Sequence, residues 1–252
     1  MKIGFIGFGS MGRAIAEGLL ARNVCAPEEI YACAGHFDKV KEIANQLGIH
    51  AAETAAEVAK SADIVIPAVV PGILEAVLRP VLPILQKKLV VSIVSGWDFA
   101  RYEAFLAPGT HHISTTPNTP IAIGEGVLAC ESTHNLTEAE YAQFCDMFGK
   151  IALIVPVTAA QFGPAGTLGG CTPAFAAMFL EALGDAGVKY GLSRAAAACG
   201  LNLFFFVGDE RPLHDLAFIL RQKRAEHRAA CVLPLTARAL VADGDDRCGI
   251  SH

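Results

Sequence analysis

Short apolar runs alternate with longer amphipathic stretches through the first 157 residues. The runs Ile3–Ile6, Ile30–Cys33, 62–70 and 89–94 are almost continuously apolar, which is typical of strands buried on both faces. The stretches between them carry apolar residues at helical spacing. Strands that alternate with such helices pair in parallel through right-handed crossovers. The pattern therefore predicts an α/β domain over residues 1–157, built on a mostly parallel sheet.

The first two predicted helices have recognisable positions in the sequence. Met11, Ile15 and Leu19 share one face of a helix that follows the first strand. A second helical stretch, 39–47, stops at Gly48. Glycine often ends a helix because it adopts left-handed backbone angles without steric cost.

The character of the sequence changes after Val157, where glycine and proline become frequent. The stretch 163–170 predicts a loop, and Thr172–Pro173 predicts a helix start, because a hydroxyl N-cap followed by proline favours one. Gly191 fits the end of this helix and Ser193 the cap of the next. An apolar stripe runs along the helix at Phe175, Met178, Phe179, Ala182 and Leu183.

The whole chain is thus predicted to hold two domains. A smaller, incomplete α-helical domain over residues 158–252 follows the α/β domain, with a boundary near Val157. The helical domain is atypical after about residue 197, where clear caps and a sustained apolar period are lost.

Composition excludes several classes of protein. The chain has 53% hydrophobic and 18% charged residues. This composition excludes a disordered protein and a protein that coats nucleic acid. The formal net charge of -5 argues against a phosphate-backbone binder, so no nucleic-acid partner is predicted. Eight scattered cysteines without a C-x-x-C pair favour free buried thiols in a reducing cytosol. No metal site is predicted.

No membrane association is predicted either. Glycines interrupt the apolar N-terminus within a few residues, unlike the apolar core of a secretory signal. The most apolar longer stretch, 64–85, contains several prolines together with Glu75 and Arg79, which makes a poor membrane span. We therefore expect a cytoplasmic protein.

A glycine-rich turn lies between the first predicted strand and the first predicted helix. It has the spacing G-x-G-x-x-G, in which the glycines permit a tight turn, close approach of a pyrophosphate, and close helix–strand packing. The helix N-terminus offers the phosphates free N–H groups and a positive dipole end. The spacing alone is weak, but its βαβ context favours dinucleotide binding over a plain turn. A Rossmann-like domain is therefore predicted, with cofactor contacts at Gly7, Phe8, Gly9, Ser10, Met11 and Gly12.

The end of the second strand indicates which dinucleotide binds. NAD sites usually carry an Asp or Glu there, whereas this chain reads A-C-A-G-H over residues 32–36. His36, with Lys39 and Lys41 nearby, suits a 2′-phosphate, although the two lysines fit a solvated helix face equally well. NADP is predicted mainly because the acid is absent, and NAD is the alternative.

Asn118 lies in a Pro-Asn-Thr-Pro segment, residues 117–120, after the fifth strand region. The segment is either a rigid turn or a means of presenting the amide at the carboxyl edge of the sheet, where ligands of such folds bind. The pattern leaves both roles open.

Four segments resemble successive landmarks of the pyrroline-5-carboxylate reductase family. They are GFIGFGSMGRAIAEGLL at 4–20, AVVP at 68–71, PNTP with GEG at 117–126, and GGCTPAFAAMFLEALGDAGVKYGL at 169–192. The last is the most specific, since other reductases with the first motif lack it. The resemblance covers residues 1–197. It implies an NAD(P)H-dependent oxidoreductase of proline biosynthesis that transfers a hydride to the C=N bond of 1-pyrroline-5-carboxylate, giving L-proline.

Carried over by position, the resemblance also implies roles for residues outside the glycine turn. The nicotinamide side of the cofactor site is lined by Ala68, Val69, Val70, Ser95 and Gly96, with Asn118 near the reacting ring. The substrate carboxylate, which a helix N-terminus favours, meets a loop and helix start at Gly169, Gly170, Cys171 and Thr172. Close helix packing is the competing interpretation of these last residues.

The resemblance implies no catalytic side chain, because positioning the hydride donor against a protonated imine does most of the work. The partner of the site is a small cyclic imine acid. An intact helical domain implies a homodimer or a larger assembly.

Several positions depart from the family's pattern. Val70 stands where these enzymes usually carry lysine, Ala55 where an asparagine often approaches the adenine ribose, and Thr172 where glycine is usual. After Ala197 no S-P-G-G-T-T-like loop follows. A shifted reading frame near Ala198 is the favoured explanation, because folded sequences keep local consistency, and a divergent C-terminal domain is the alternative.

Two other functions stay open at this point. A related imine or carbonyl reductase fits, because the sequence alone does not fix the substrate ring. A catalytically silent NADP-binding protein fits if the atypical tail leaves the substrate site incomplete.

Overall fold

One sheet of eight strands organises the computed structural model, which describes residues 1–197. The strands are β1 (Ile3–Ile6), β2 (Ile30–Cys33), β3 (His50–Ala51), β4 (Ile64–Pro67), β5 (Leu89–Ser92), β6 (His112–Pro117), β7 (Gly126–Glu131) and β8 (Ala152–Val157). Their order is β3-β2-β1-β4-β5-β6-β7-β8. Neighbours from β3 to β6 pair in parallel, β6 and β7 pair antiparallel, and β8 is parallel to β7.

Eight α-helices occupy the same described range. They are α1 (Ser10–Ala21), α2 (Phe37–Leu47), α3 (Ala55–Ser61), α4 (Leu74–Leu78), α5 (Leu82–Leu85), α6 (Phe99–Phe105), α7 (Glu138–Gly149) and α8 (Ala159–Lys189). Short 3-10 turns cover Pro27–Glu29, Pro71–Ile73, Arg79–Val81 and Thr119–Ile123. The parallel run of six strands, with its order reversing between β1 and β4, is a Rossmann-type sheet. The predicted α/β fold, with a helical segment after it, is confirmed.

Alternate residues of the central strands enter two apolar layers, one on each face of the sheet. Ile3 and Phe5 join the layer that contains residues of α1, α2 and α7, while Ile6 joins the layer beneath α3, α4 and α6. In β4 the split repeats, with Ile66 on the first side and Val65 on the second. Burial on both faces explains why these strands are continuously apolar in sequence.

The predicted ends of several elements are confirmed. Strands β1 and β2 have the predicted bounds, and α2 ends at Gly48, whose φ of 73° is left-handed. Strands β4 and β5 are shorter than the apolar runs that predicted them. The extra residues at the carboxyl ends of those runs form loops at the edge where the functional site lies.

Helix α8 contradicts the loop predicted at 163–170 and the helix start predicted at Thr172–Pro173. The helix is continuous from Ala159 to Lys189. Its start therefore lies more than a dozen residues earlier than predicted. The glycines and both prolines of this stretch are inside the helix.

Contacts with the sheet explain why α8 begins where it does. The Gln161 side chain accepts a hydrogen bond from the backbone N–H of Thr158 at 3.1 Å, which is half of a capping box. One turn into the helix, Phe162 is buried against Ala129 and Val157. Packing of this kind overrides the weak local preference of glycine against helix. After the helix, Ser193 accepts a hydrogen bond from the N–H of Ala196 at 3.1 Å, as its predicted capping role requires.

The predictions for the tail lie outside the described residues. They include the shifted reading frame near Ala198 and the state of Cys199, Cys231 and Cys248. Within residues 1–197, the thiols of Cys33, Cys130 and Cys145 are buried as expected and form no disulfide, whereas Cys171 is exposed on α8. No helix in this range is long and apolar enough to cross a membrane.

Candidate functional site

The site is built on the contact between Gly7, which follows β1, and Ala68, which follows β4. A Cβ atom on Gly7 would lie 2.5 Å from the Ala68 carbonyl oxygen, and the φ of Gly7 is +97°. The N–H of Gly7 donates to the Cys33 carbonyl at 2.9 Å, and the N–H of Ala68 donates to the Ile6 carbonyl at 2.8 Å. Only glycine fits here. The three strand ends β1, β2 and β4 therefore meet at the point where the strand order reverses, which is where such folds bind ligands.

Gly9 leaves an open approach to the N-terminus of α1. A Cβ on Gly9 would meet no atom within 4 Å, so the space in front of the turn is free of the described residues. The first turn of α1 carries no acidic residue, and no described side chain caps it. The free N–H groups and the positive end of the helix dipole consequently face that space. This cradle fits the diphosphate of a dinucleotide.

The other glycine-turn residues divide into two groups. Gly12 is buried, and a Cβ there would lie 3.1 Å from the Gly7 carbonyl oxygen, as expected for close helix–strand packing. The Phe8 side chain is buried in the core, with its ring 5.6 Å from that of Phe5. Phe8 was predicted as a cofactor contact, and its ring is turned away from the open side. Any contact it makes with a ligand is through its backbone.

The end of β2 is open and carries no acid. Gly35 and His36 are exposed, and a Cβ on Gly35 would meet no atom of residues 1–197 within 4 Å. His36 is the N-cap residue of α2, and Lys39 and Lys41 are exposed on the same helix. A bulky anion at this strand end therefore meets free space, with two lysines and the exposed Asp38 on the helix that follows.

The first three residues of the loop after β4 differ in how far they are exposed to solvent. Ala68 and Val69 are half-buried against the glycine turn, whereas Val70 is 65% exposed. Of these three side chains, that of Val70 is the most exposed to solvent.

The loop after β5 forms a tight turn at the same edge. The N–H of Trp97 donates to the Val94 carbonyl at 3.2 Å, so exposed Ser95 and Gly96 occupy the two central positions. Gly96 has a φ of +75°, the sign that the third position of a type II turn requires. The Arg101 guanidinium donates to the Gly96 carbonyl at 2.6 Å.

Buried hydroxyl groups support this loop from below. The Ser92 hydroxyl, at the end of β5, hydrogen-bonds the Tyr102 hydroxyl of α6 at 2.6 Å and accepts the Val94 N–H at 3.2 Å. Thr115 donates to the Ser92 carbonyl at 2.7 Å. Burial raises the pKa of Tyr102 well above its ordinary range, so its phenol stays protonated in this network. Sequence reasoning missed Ser92, Arg101 and Tyr102, since contacts between a loop and the next helix leave no fixed motif.

Asn118 follows β6 at the same edge, but its side chain is 7% exposed and committed to the protein. Its amide oxygen accepts the Val127 N–H at 2.8 Å, and its amide nitrogen donates to the Gly169 carbonyl at 3.1 Å. Each end of the amide thus has one partner within the protein, as a structural turn requires, while its second N–H and second lone pair leave the ligand-binding role a prediction.

Residues 169–172 lie near the middle of α8, not at a helix start. Their backbone N–H groups therefore point along the helix, and the expected anion-binding N-terminus at this place is wrong. Cys171 and Thr172 are exposed, and Gly166 packs against Thr116, with an added Cβ 3.0 Å from its Cγ2 atom. The middle of α8 thus crosses the carboxyl end of β6, beside the edge that carries Asn118.

A different polar cluster lies at the opposite edge, where β6 begins. His112 is buried, stacks on Phe99 with ring centroids 4.6 Å apart, and places Nε2 2.9 Å from a Glu103 carboxylate oxygen. Burial lowers the pKa of His112, against the opposing effect of Glu103. Within residues 1–197, no group of three or more His, Cys, Asp or Glu is placed to hold a metal ion.

Comparison with known protein families gives two matches, one at each end of the described range. Residues 2–96 match the family described as NADP oxidoreductase, coenzyme F420-dependent. Residues 159–201 match pyrroline-5-carboxylate reductase dimerisation. The second match begins at the first residue of α8.

Solved structures resemble the fold as a whole. A Plasmodium falciparum pyrroline carboxylate reductase with NADP bound superposes with a TM-score of 0.73 at 24% identity, covering 92% of this chain and 95% of that one. A Coxiella burnetii pyrroline-5-carboxylate reductase gives a TM-score of 0.72 at 22% identity, over 97% and 99% of the two chains. At these identities the likeness establishes the fold.

Relatives found by sequence comparison are more similar to this chain than these two solved structures are. The pyrroline-5-carboxylate reductase of Treponema pallidum is 39% identical over 201 residues, which is 78% of this chain and 76% of that protein. The Escherichia coli enzyme is 36% identical over 197 residues, 78% of this chain and 73% of its own. On the identity and coverage of these matches, the chain belongs to the pyrroline-5-carboxylate reductase family.

Proposed function

We propose that this chain is an oxidoreductase that uses NADPH to reduce 1-pyrroline-5-carboxylate to L-proline. The observation that carries the proposal is the open cradle at Gly9, in a chain whose relatives at up to 39% identity are pyrroline-5-carboxylate reductases. The reduced nicotinamide supplies a hydride to the imine carbon, and the ring nitrogen keeps the electron pair of the former double bond and its proton.

The glycine turn is proposed to hold the cofactor diphosphate, with backbone N–H groups of Ser10, Met11 and Gly12 facing it. The open, acid-free end of β2 supports a 2′-phosphate at Gly35 and His36 and hence NADP over NAD. Ala68, Val69, Val70, Ser95 and Gly96 are proposed to flank the nicotinamide, because their loops follow β4 and β5 at the same edge.

The substrate is proposed to lie between that edge and the middle of α8. Support comes from the Asn118 hydrogen bond to Gly169, which keeps 169–172 beside the carboxyl end of β6. Cys171 and Thr172 offer exposed side chains there. The protein's part in the reaction is to orient the two reactants and exclude water, since a protonated imine is already electrophilic.

The assembly is proposed to be a homodimer or a multiple of it, formed through α8. Residues 159–201 match a dimerisation family, and α8 exposes a stripe of large apolar side chains. Phe175, Met178 and Phe179 are 62%, 67% and 58% exposed. A surface of this kind marks a protein interface. The division into a nucleotide domain over 1–157 and a helical domain over 158–252 is part of the same proposal.

The test is NADPH oxidation by the full-length protein, with proline identified as the product. We expect turnover with 1-pyrroline-5-carboxylate to exceed turnover with a six-membered cyclic imine acid or a 2-keto acid. Faster reaction with either comparison substrate would assign the protein to a related reductase. Tight NADPH binding without any turnover would instead identify a catalytically silent NADP-binding protein, the alternative that follows from the atypical sequence after residue 197.

A further inference from the structure

The turn after β5 is held from outside by one long side chain. Ser95 and Gly96 are exposed at its tip, and a Cβ on Gly96 would meet no described atom within 4 Å. The Arg101 guanidinium reaches back from α6 and donates to the Gly96 carbonyl at 2.6 Å. A hydrogen bond from a charged donor is stronger than a neutral one.

Helix α6 is itself fixed at the end from which Arg101 reaches. Asp98 caps it by accepting the Arg101 N–H at 3.0 Å, and the buried Glu131 carboxylate accepts the Phe99 N–H at 2.7 Å. The Ser92–Tyr102 hydrogen bond joins the same helix to the end of β5. Arg101 therefore extends from a rigid base toward a turn that carries little packing of its own.

We propose that Arg101 is a positioning residue for the nicotinamide half of the cofactor. This inference rests on the proposed function, in which the Ser95–Gly96 turn lies on the nicotinamide side. The guanidinium fixes the peptide of Gly96, and through it the surface against which the ring is oriented. Displacement of a positioning element lowers the rate of hydride transfer steeply, although the element touches no reacting atom.

A groove between α4 and α6 supplies the matched control. Its volume is about 650 Å³, and Arg79 and Arg101 both line it. Arg79 is exposed like Arg101, but its guanidinium pairs with Glu75 at 2.9 Å and lies 5.6 Å from the Phe105 ring centroid. Arg79 shares the charge and the groove of Arg101, but its guanidinium is paired with Glu75 instead of the turn.

The experiment compares two ligands by calorimetry on the full-length protein, NADPH and adenosine 2′,5′-bisphosphate, which lacks the nicotinamide half. In R101M we expect NADPH to bind several-fold to about tenfold more weakly, because binding must then order a turn that the guanidinium no longer holds, with the bisphosphate unchanged. R101K should recover part of the loss, and R79M should bind both ligands like the wild type. In turnover, kcat should fall and the KM for NADPH should rise in R101M, while the KM for pyrroline-5-carboxylate stays constant.

Other outcomes overturn the inference. Equal weakening of both ligands in R101M would mean a general structural role, and unchanged NADPH binding would mean no role. An equal loss in R79M would trace the effect to the charge of the groove. If the wild type binds neither ligand, the proposed function fails as well, whereas the first three outcomes leave that function intact.

Discussion

The side-chain amide of Asn118 donates a hydrogen bond to the Gly169 carbonyl, the one oxygen that Pro173 leaves without its helical donor. In an α-helix the carbonyl of residue 169 accepts the N–H of residue 173, and proline has none. The 3.1 Å bond from Asn118 replaces the missing donor. One amide thereby both completes the helix and joins it to the sheet.

Replacing Asn118 with aspartate should destabilise the fold. A carboxylate keeps an acceptor for the Val127 N–H but presents an oxygen to the Gly169 carbonyl, which loses its donor. We expect the free energy of unfolding to fall by about 1–3 kcal/mol, measured by urea denaturation. Asn45→Asp, the same change on the exposed face of α2, should have little effect. Equal stability of the two variants would contradict the structural role of Asn118.

Two alanine substitutions in the glycine turn should separate folding from cofactor binding. Gly9→Ala adds a Cβ to open space at a φ of -81°, so stability should change by less than about 0.5 kcal/mol. NADPH affinity should fall by about tenfold or more, because the methyl group occupies the approach of the diphosphate. Gly7→Ala should instead lose about 2 kcal/mol or more of stability, since its Cβ meets backbone at a left-handed φ. Undiminished NADPH binding by Gly9→Ala would place the cofactor elsewhere.

An acid at the end of β2 should shift the cofactor preference toward NADH. Gly35→Asp has room for its side chain, and its charge would repel a 2′-phosphate by about 1 kcal/mol even in water. The ratio of kcat/KM for NADPH to that for NADH should therefore drop several-fold. Gly35→Asn has the same shape without the charge and should keep the wild-type ratio. If the wild type, Gly35→Asp and Gly35→Asn all have the same ratio, Gly35 does not lie at the 2′-phosphate site.

The stability of the protein should depend on pH through His112. Burial lowers the pKa of this imidazole below the ordinary 6.5, so the unfolded chain binds more protons between the two values. Its contribution is complete above pH 6.5 and declines as the pH falls below that value. Urea denaturation from about pH 8 to about pH 5 should show a smaller decline in His112→Phe than in the wild type. His50→Phe, at an exposed position, should decline like the wild type, and a matching decline in His112→Phe would exclude His112 as the source.

The apolar stripe of α8 should control assembly. Phe175→Asp puts a charge into the stripe. Association with a second copy would bury this carboxylate away from water, which costs free energy and weakens the interface. Light scattering should report a smaller particle for this variant than for the wild type. Ala177→Asp places the same charge on the opposite face of the helix and should leave the particle size unchanged. Dissociation by both variants alike would locate the interface elsewhere on α8.

The sheet and the glycine turn were predictable because local rules and tertiary packing agree there. Strands β1 and β2 are apolar on both faces, and Gly48 ends α2 as its backbone freedom allows. The contact of Gly7 with Ala68 follows from the spacing of the turn and its place between strand and helix.

The start of α8 was mispredicted because local rules and packing disagree there. Glycine and proline over 163–173 disfavour a helix, while Phe162 and Asn118 stabilise one from outside the segment. The signal that was missed is Thr158 followed by Gln161, a capping-box spacing. Arg101 had no such signal, because its bond to Gly96 depends on the shape of a turn.

Because α8 begins on the sheet and extends about 46 Å, the proposed domain boundary near residue 157 is not a place where the chain can be cut without loss of contacts. A truncated protein ending there would expose Ala129 and Val157 to solvent and deprive Asn118 of its helical partner. Extension to Thr172 would keep Phe162, Gly166 and the Gly169 carbonyl in place. The smallest nucleotide-binding fragment that folds well is therefore expected to carry about half of the helix as an integral part.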